Sequence, residues 1–358
     1  MMQAHLSDDR LQESPSVYPK ENRSNSEADV LSDFNLFFSG KKILVTGASG
    51  YIAHTLIERL SHFKCELYLS SQHPDQITPP PLNLGLLKFM SLSSDFSLHT
   101  FQNIVPELDI IFHLSAQTNL TCSFQNPGQD FIANVLPLVH ILEAAKRRQK
   151  PLAVILASTV TIFGIPNKIP VNESCPDHPM TFYCFHKKLA EDYLKSYTDG
   201  SWVTGASLRL PNIYGPGPKS SNTERGVLNQ MIRKSIQGHP LTIYGEGREI
   251  RDYLYIEDAV DAFLYSALNH TRLVGKPYVI GSGHGSSISQ SISLVAERVG
   301  SYLSRNISIE HIDHPENNYA INERNFVADA QLFASLTGWK ARTSLSDGIA
   351  QTLKSYLI

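Results

Sequence analysis

The chain has 358 residues, 42% hydrophobic and 18% charged, with a formal net charge of -3. That length supplies core for roughly two domains, and the near-balanced charge gives no electrostatic drive toward nucleic acid or an anionic membrane. The four cysteines show no CxxC spacing, no apolar run approaches the roughly 20 residues that cross a bilayer, and no secretory leader pattern opens the chain, so a cytoplasmic, reducing setting is expected.

Residues 1–33 are rich in Ser, Asp, Glu and Asn. So few apolar groups cannot offset the entropy of ordering, and a flexible tail is expected there. From Lys42 onward, Ile43-Leu44-Val45, Leu67-Tyr68-Leu69, Ile110-Ile111-Phe112 and Ala153-Val154-Ile155-Leu156 form short apolar runs between helix-like segments. Continuous runs of this kind predict parallel strands buried on both faces. Val135, Leu138, Val139 and Leu142 recur at helical spacing, which predicts one helix over Asp130 to Arg148. The repeated strand-helix alternation predicts an α/β fold of Rossmann type, a doubly wound parallel sheet over 41–210.

After Pro211 the residues Gly215, Pro216, Gly217 and Pro218 interrupt that rhythm. Helices are predicted over Gly226 to Gln237, Glu257 to Ala267 and Ile288 to Val299, with a strand at Leu241 to Tyr244. Residues 211–358 therefore read as a smaller C-terminal α/β substrate lobe, interleaved with the first domain.

Gly47-Ala48-Ser49-Gly50-Tyr51-Ile52-Ala53 follows the first strand and opens a helix. In that setting Gly47 permits the tight turn, Gly50 admits a pyrophosphate against the backbone, and Ala53 lets helix and strand pack closely. The helix N-terminus then faces an anion. NAD-specific folds place an acid at the end of the second strand. Here Ser70 and Ser71 are followed by Gln72 and His73, which leaves NAD or NADP open as the cofactor.

Tyr183 and Lys187 stand four apart, with Thr159 upstream. On a helix such a pair shares one face, so the ammonium lowers the phenol's pKa and can hold a nicotinamide ribose. His186 points to a different helix face, where a structural or exposed role is expected. No HxxxH or HExxH pattern occurs, and no metal is assigned.

The Gly47-x-x-Gly50-x-x-Ala53 loop, His113-Leu114-Ser115-Ala116, Asn134, Ser158-Thr159, Tyr183-x-x-x-Lys187, Leu208-Arg209-Leu210-Pro211-Asn212-Ile213-Tyr214-Gly215-Pro216 and Arg251-Asp252-Tyr253-x-Tyr255-Ile256-x-Asp258 occur in that order. Together they resemble the extended short-chain dehydrogenase/reductases that act on nucleotide sugars, the UDP-galactose 4-epimerase-like group. The resemblance implies Tyr183 as acid/base, Lys187 as its electrostatic partner and Thr159 as the hydrogen-bond partner of the reacting sugar hydroxyl. It implies a cofactor held by Gly47, Ser49, Gly50, Tyr51, Ile52, Ser70 and Ser71, by Leu114, Ser115 and Ala116, and by Asn134, Tyr183, Lys187 and Pro211. It implies a nucleotide-diphosphate sugar contacted by Thr118, Thr161, Asn212, Val227, Tyr244, Arg251 and Arg324, and a homodimer.

Related 4,6-dehydratases carry an Asp-Glu pair after the active-site threonine, where this chain has Val160 and Thr161. That difference speaks against dehydration and for an epimerase, with an NADPH-dependent reductase of a nucleotide-linked 4-keto-sugar as the alternative. A non-catalytic nucleotide-binding member is the third reading, opposed by the intact Thr159, Tyr183 and Lys187.

Overall fold

The computed structural model describes residues 29–77, 97–217, 226–314 and 319–357, and the backbone of 27–28 and 88–92. The strands in chain order are β1 Lys42–Thr46, β2 Glu66–Ser70, β3 Lys88–Leu92, β4 Ile110–His113, β5 Leu152–Thr159, β6 Val203–Leu210, β7 Asn212–Tyr214, β8 Leu241–Tyr244, β9 Ile250–Tyr255, β10 Pro277–Val279, β11 Gly285–Ser287 and β12 Ile309–Ile312. The helices of the first half are α1 Glu27–Phe38, α2 Tyr51–Ser61, α3 Leu98–Ile104, α4 Leu120–Gln125, α5 Pro127–Asn134, α6 Leu136–Ala145 and α7 Phe182–Asp199. Those of the second half are α8 Val227–Gln237, α9 Ile256–Leu268, α10 Ile288–Leu303, α11 Gln331–Thr337 and α12 Leu345–Leu357.

Seven strands form the main sheet in the order β10-β6-β5-β4-β1-β2-β3, and every neighbouring pair is parallel. The expected doubly wound α/β fold is what the chain adopts. Alternating residues explain the layers: Ile43 and Val45 of β1 join one core cluster with Phe263 of α9, whereas Leu44 joins another with Leu142 of α6 and Leu194 of α7. Each such fully buried aliphatic side chain contributes roughly 1.5–3 kcal/mol. The strand order reverses between β1 and β4, and a crevice opens there at the carboxyl ends of the strands.

The C-terminal half supplies two small sheets, β11-β9-β7 and β12-β8, packed with α8, α10 and α12 in a core of its own. It also returns α9 and β10 to the first core and the main sheet. The predicted helix and strand positions after Pro211 match α8, β8, α9 and α10. Two expectations need revision. The single helix expected over Asp130 to Arg148 is two, α5 and α6, broken at Val135, because Pro137 lacks the N–H that an interior turn needs and so opens a new first turn. Residues 27–33 of the expected tail lie in α1, anchored by buried Phe34 and Phe38, and the remainder of that tail lies outside the described residues.

Candidate functional site

The loop after β1 is shaped by glycine. Gly47 has a φ of +68°, and a Cβ added there would lie 2.8 Å from the Ser115 backbone, so only glycine lets β1 and the β4 loop approach this closely. Gly50 caps α2 without a side-chain bond, and no acid stands in the first turn. The free N–H groups of α2 therefore open toward a cleft of about 420 Å³ lined by Gly47, Gly50, Tyr51 and Ile52. A dinucleotide's pyrophosphate fits this cradle. An adjoining cleft of about 710 Å³ is lined by Ser49, Ser71, Gln72, His73, Leu114, Ser115 and Ala116. Ser49 Oγ and Ser71 Oγ are 2.6 Å apart, and His73 N–H donates to Ser71 Oγ at 3.0 Å. Ser70 is buried at the end of β2 and lines neither cleft.

Thr159, Tyr183 and Lys187 line the first cleft together. Thr159 is the last residue of β5, and Tyr183 and Lys187 lie on successive turns of α7, whose N-cap Thr181 accepts from Cys184 N–H at 3.2 Å. Lys187 is 2% exposed, and burial pulls its pKa down to about 8 against the opposing pull of Glu191 and Asp130. Both acids are held in place. Glu191 accepts from Ser158 Oγ at 2.5 Å and from Arg209 Nε and Nη2 at 3.0 and 2.7 Å. Asp130 accepts from Gln117 Nε2 at 2.8 Å and lies 2.6 Å from His186 Nδ1. His186 is thus mostly buried and paired with Asp130, a structural role of the kind expected for it. Asn134 lines neither cleft; its Nδ2 donates to Gln117 O and Asp130 O, so it shapes the loop beneath the cofactor cradle. Behind the cradle, burial and the Lys187 charge push the His113 imidazole down to about 3, which keeps it neutral 2.9 Å from Thr46 Oγ1.

Thr118, after β4, also lines the first cleft, and Pro211, Asn212 and Val227 form a wall joined by Leu228, Gln230 and Tyr253, which no motif had marked as site residues. Tyr51 ties this wall to the cradle: its hydroxyl donates to Gly215 O at 2.9 Å and accepts from Asn229 Nδ2 at 3.1 Å. Arg251 and Arg324 line neither cleft and are buried side by side. Arg251 donates from Nη1 to Arg324 O and from Nη2 to Asn322 O, the latter at 2.5 Å, while Arg324 Nη1 donates to Ile321 O at 2.9 Å and its Nε has no partner. Burial lowers the pKa of both, that of Arg324 to about 10 with Arg251 as the second cause. Neighbouring Asp252 does not neutralise them; it accepts from the backbone N–H groups of Ser282, Gly283 and Ala328. Among the described residues neither arginine has a carboxylate partner.

Two expected substrate contacts lie elsewhere. Tyr244 is 49% exposed and stacks on His314 at 6.1 Å, outside both clefts. The Thr161 hydroxyl meets Thr159 and Cys184 behind the cleft wall. Among the described residues no cluster of His, Cys, Asp and Glu could hold a metal, and no helix is long and apolar enough to cross a membrane.

The sequence profile of the NAD dependent epimerase/dehydratase family matches residues 43–281. The chain belongs to that family. It is similar to the UDP-glucose 4-epimerase of Mycolicibacterium smegmatis, at 26% identity over 88% of this chain and 98% of that one. It is also similar to the CDP-paratose 2-epimerase of Salmonella typhi, at 25% identity over 67% and 75% of the two chains. The solved structure of the Thermus thermophilus UDP-glucose 4-epimerase, a complex with NAD, superposes with a TM-score of 0.72 at 25% identity and covers 88% of this chain and 99% of that one. The family thus joins the glycine cradle to a cofactor class, NAD, and makes the expected enzyme class that of this chain.

Proposed function

We propose that the protein is a nucleotide-sugar epimerase that inverts a sugar carbon through a transient ketone. The observation that carries this reading is that Thr159, Tyr183 and Lys187 open onto the same cleft as the uncapped N-terminus of α2. Bound NAD would supply a hydride acceptor that is regenerated within each turnover. Tyr183 takes the proton from the sugar hydroxyl, and Lys187, a buried cation one turn away, favours the phenolate that does so. Thr159 hydrogen-bonds the same sugar oxygen. Val160 and Thr161 follow Thr159, so no carboxylate stands there to eliminate water.

The diphosphate of the substrate supplies a physical reason for Arg251 and Arg324. Burying two cations without a counter-charge is costly, and an anion docked beside them offsets that cost. Phe131 and Ile132 on α5 and Phe182, Phe185 and Leu189 on α7 form an exposed apolar face, which supports a homodimer formed by these two helices. The four free cysteines support a cytoplasmic setting.

Incubation with UDP-hexoses tests the reading. Formation of the epimer without net change in reduced-nicotinamide absorbance is expected. Stoichiometric consumption of NADPH with a 4-keto-sugar would replace the epimerase with a reductase, a reading to which the acid-free end of β2 lends its own support.

A further inference from the structure

Behind the cleft wall four side chains form a hydrogen-bonded run. Thr181 Oγ1, which accepts from Cys184 N–H, donates to Cys184 Sγ at 3.0 Å. The Cys184 thiol donates to Thr161 Oγ1 at 3.2 Å, and Thr161 Oγ1 lies 2.9 Å from Thr159 Oγ1. Thr161 N–H also donates to Thr159 Oγ1, at 3.2 Å. Of the four residues, Thr159 alone lines the cleft.

A hydroxyl has one proton and two lone pairs. Continued in the direction set by Thr181 and Cys184, the run has Thr161 donate its proton to Thr159 Oγ1, a contact in which either hydroxyl can be the donor. In that arrangement Thr159, which accepts from Thr161 N–H, accepts from its O–H as well, and its own proton is left for the cleft. We infer that Cys184 and Thr161 are positioning residues that fix Thr159 as a hydrogen-bond donor toward the reacting sugar oxygen. A donor held at that point stabilises the negative charge that gathers on the oxygen as its proton leaves. Cys184 directly follows Tyr183, so the run also ties Thr159 to the turn of α7 that carries Tyr183.

The inference rests on the epimerase reading, and two measurements separate the fates of the two. In steady-state epimerisation, Thr161→Val and Cys184→Ala should each lower kcat about five- to tenfold with KM within about twofold, and Cys184→Ser should recover most of the loss. A raised KM with intact kcat in Thr161→Val would mean direct sugar contact and overturn the proposal, as would a Cys184→Ala enzyme with native kcat. The infrared S–H band of Cys184, isolated by subtracting the Cys184→Ser spectrum, should sit at the lowered frequency of a donating thiol and rise in Thr161→Val. A band at the free-thiol frequency overturns the relay whatever the activity. Should the native protein epimerise no UDP-hexose, the epimerase reading falls and the band alone decides the relay.

Discussion

Ser158 Oγ donates to Glu191 Oε1 at 2.5 Å, which fastens the end of the strand that presents Thr159 to the helix that carries Lys187. The same carboxylate takes two N–H groups of Arg209, whose remaining fork grips Asp177 at 2.6 and 3.0 Å. Glu191→Ala would leave a buried guanidinium with half its counter-charge, at a cost of about 3 kcal/mol. Urea denaturation of the variant checks this; a loss below about 1 kcal/mol would show that Asp177 alone suffices.

Tyr183→Phe removes the proposed acid/base oxygen and nothing from the glycine cradle. Epimerisation should fall by at least about a thousandfold while NAD affinity by calorimetry stays within a few-fold of native. Retained turnover would remove Tyr183 from the chemistry.

The Lys187 pKa of about 8 lies below the ordinary lysine value of 10.5. Below pH 8 both the folded and unfolded chains hold the proton, and the folded one bears a buried charge. As pH rises from 8 to 10.5 the folded chain has released the proton while the unfolded one still holds it, so stability rises across that window. Lys187→Met should therefore be more stable than the native protein at pH 7, by an amount on the order of 3 kcal/mol, and the gap should shrink toward pH 10. Chemical denaturation of the cofactor-free protein at both pH values measures it; a gap constant with pH would mean that Lys187 does not titrate in this range.

Gly47→Ala places a methyl 2.8 Å from the Ser115 backbone at a φ of +68°. The left-handed conformation alone costs on the order of 1–2 kcal/mol, and the displaced β4 loop deforms the cradle. NAD affinity should drop at least about tenfold, the equivalent of 1.4 kcal/mol, in isothermal titration. Native affinity in the variant would mean that the loop yields without harm.

Arg324→Met separates binding from stability. Removing one of two adjacent buried cations should leave the ligand-free protein as stable as native or more so, while weakening UDP-hexose binding about tenfold or more. Melting and binding curves on the same sample test both halves. Unchanged UDP-hexose affinity would place Arg324 outside the substrate site.

The strands were legible because parallel strands covered on both faces need unbroken apolar runs, as in Ile110–Phe112 and Ala153–Leu156. That Gly47, Gly50, Tyr183 and Lys187 belong to one cleft was legible because the chemistry proposed for them depends on local spacing. The groups that hold them were not, since Arg209 meets Glu191 from another element and Asp130 meets His186 across 56 positions. One of them carried a local signal: Glu191 stands four residues after Lys187, the spacing at which helical charges meet. Thr161 carried no sign that its hydroxyl is consumed internally. Helix α1 was hidden because the polar composition of residues 1–33 outweighed Val30, while Phe34, Phe37 and Phe38, which continue its helical spacing, fall just beyond that stretch.

That helix changes where the folding unit begins. Phe38 stacks on Phe63 at 5.1 Å, and Phe34 meets the Tyr265 ring edge-on at 5.2 Å, so α1 roofs a patch contributed by the chain after α2 and by α9. A chain trimmed to start at β1 would keep every residue of both clefts yet bare an adhesive aromatic surface. A shortened version can thus fail in the test tube for reasons that have nothing to do with its chemistry.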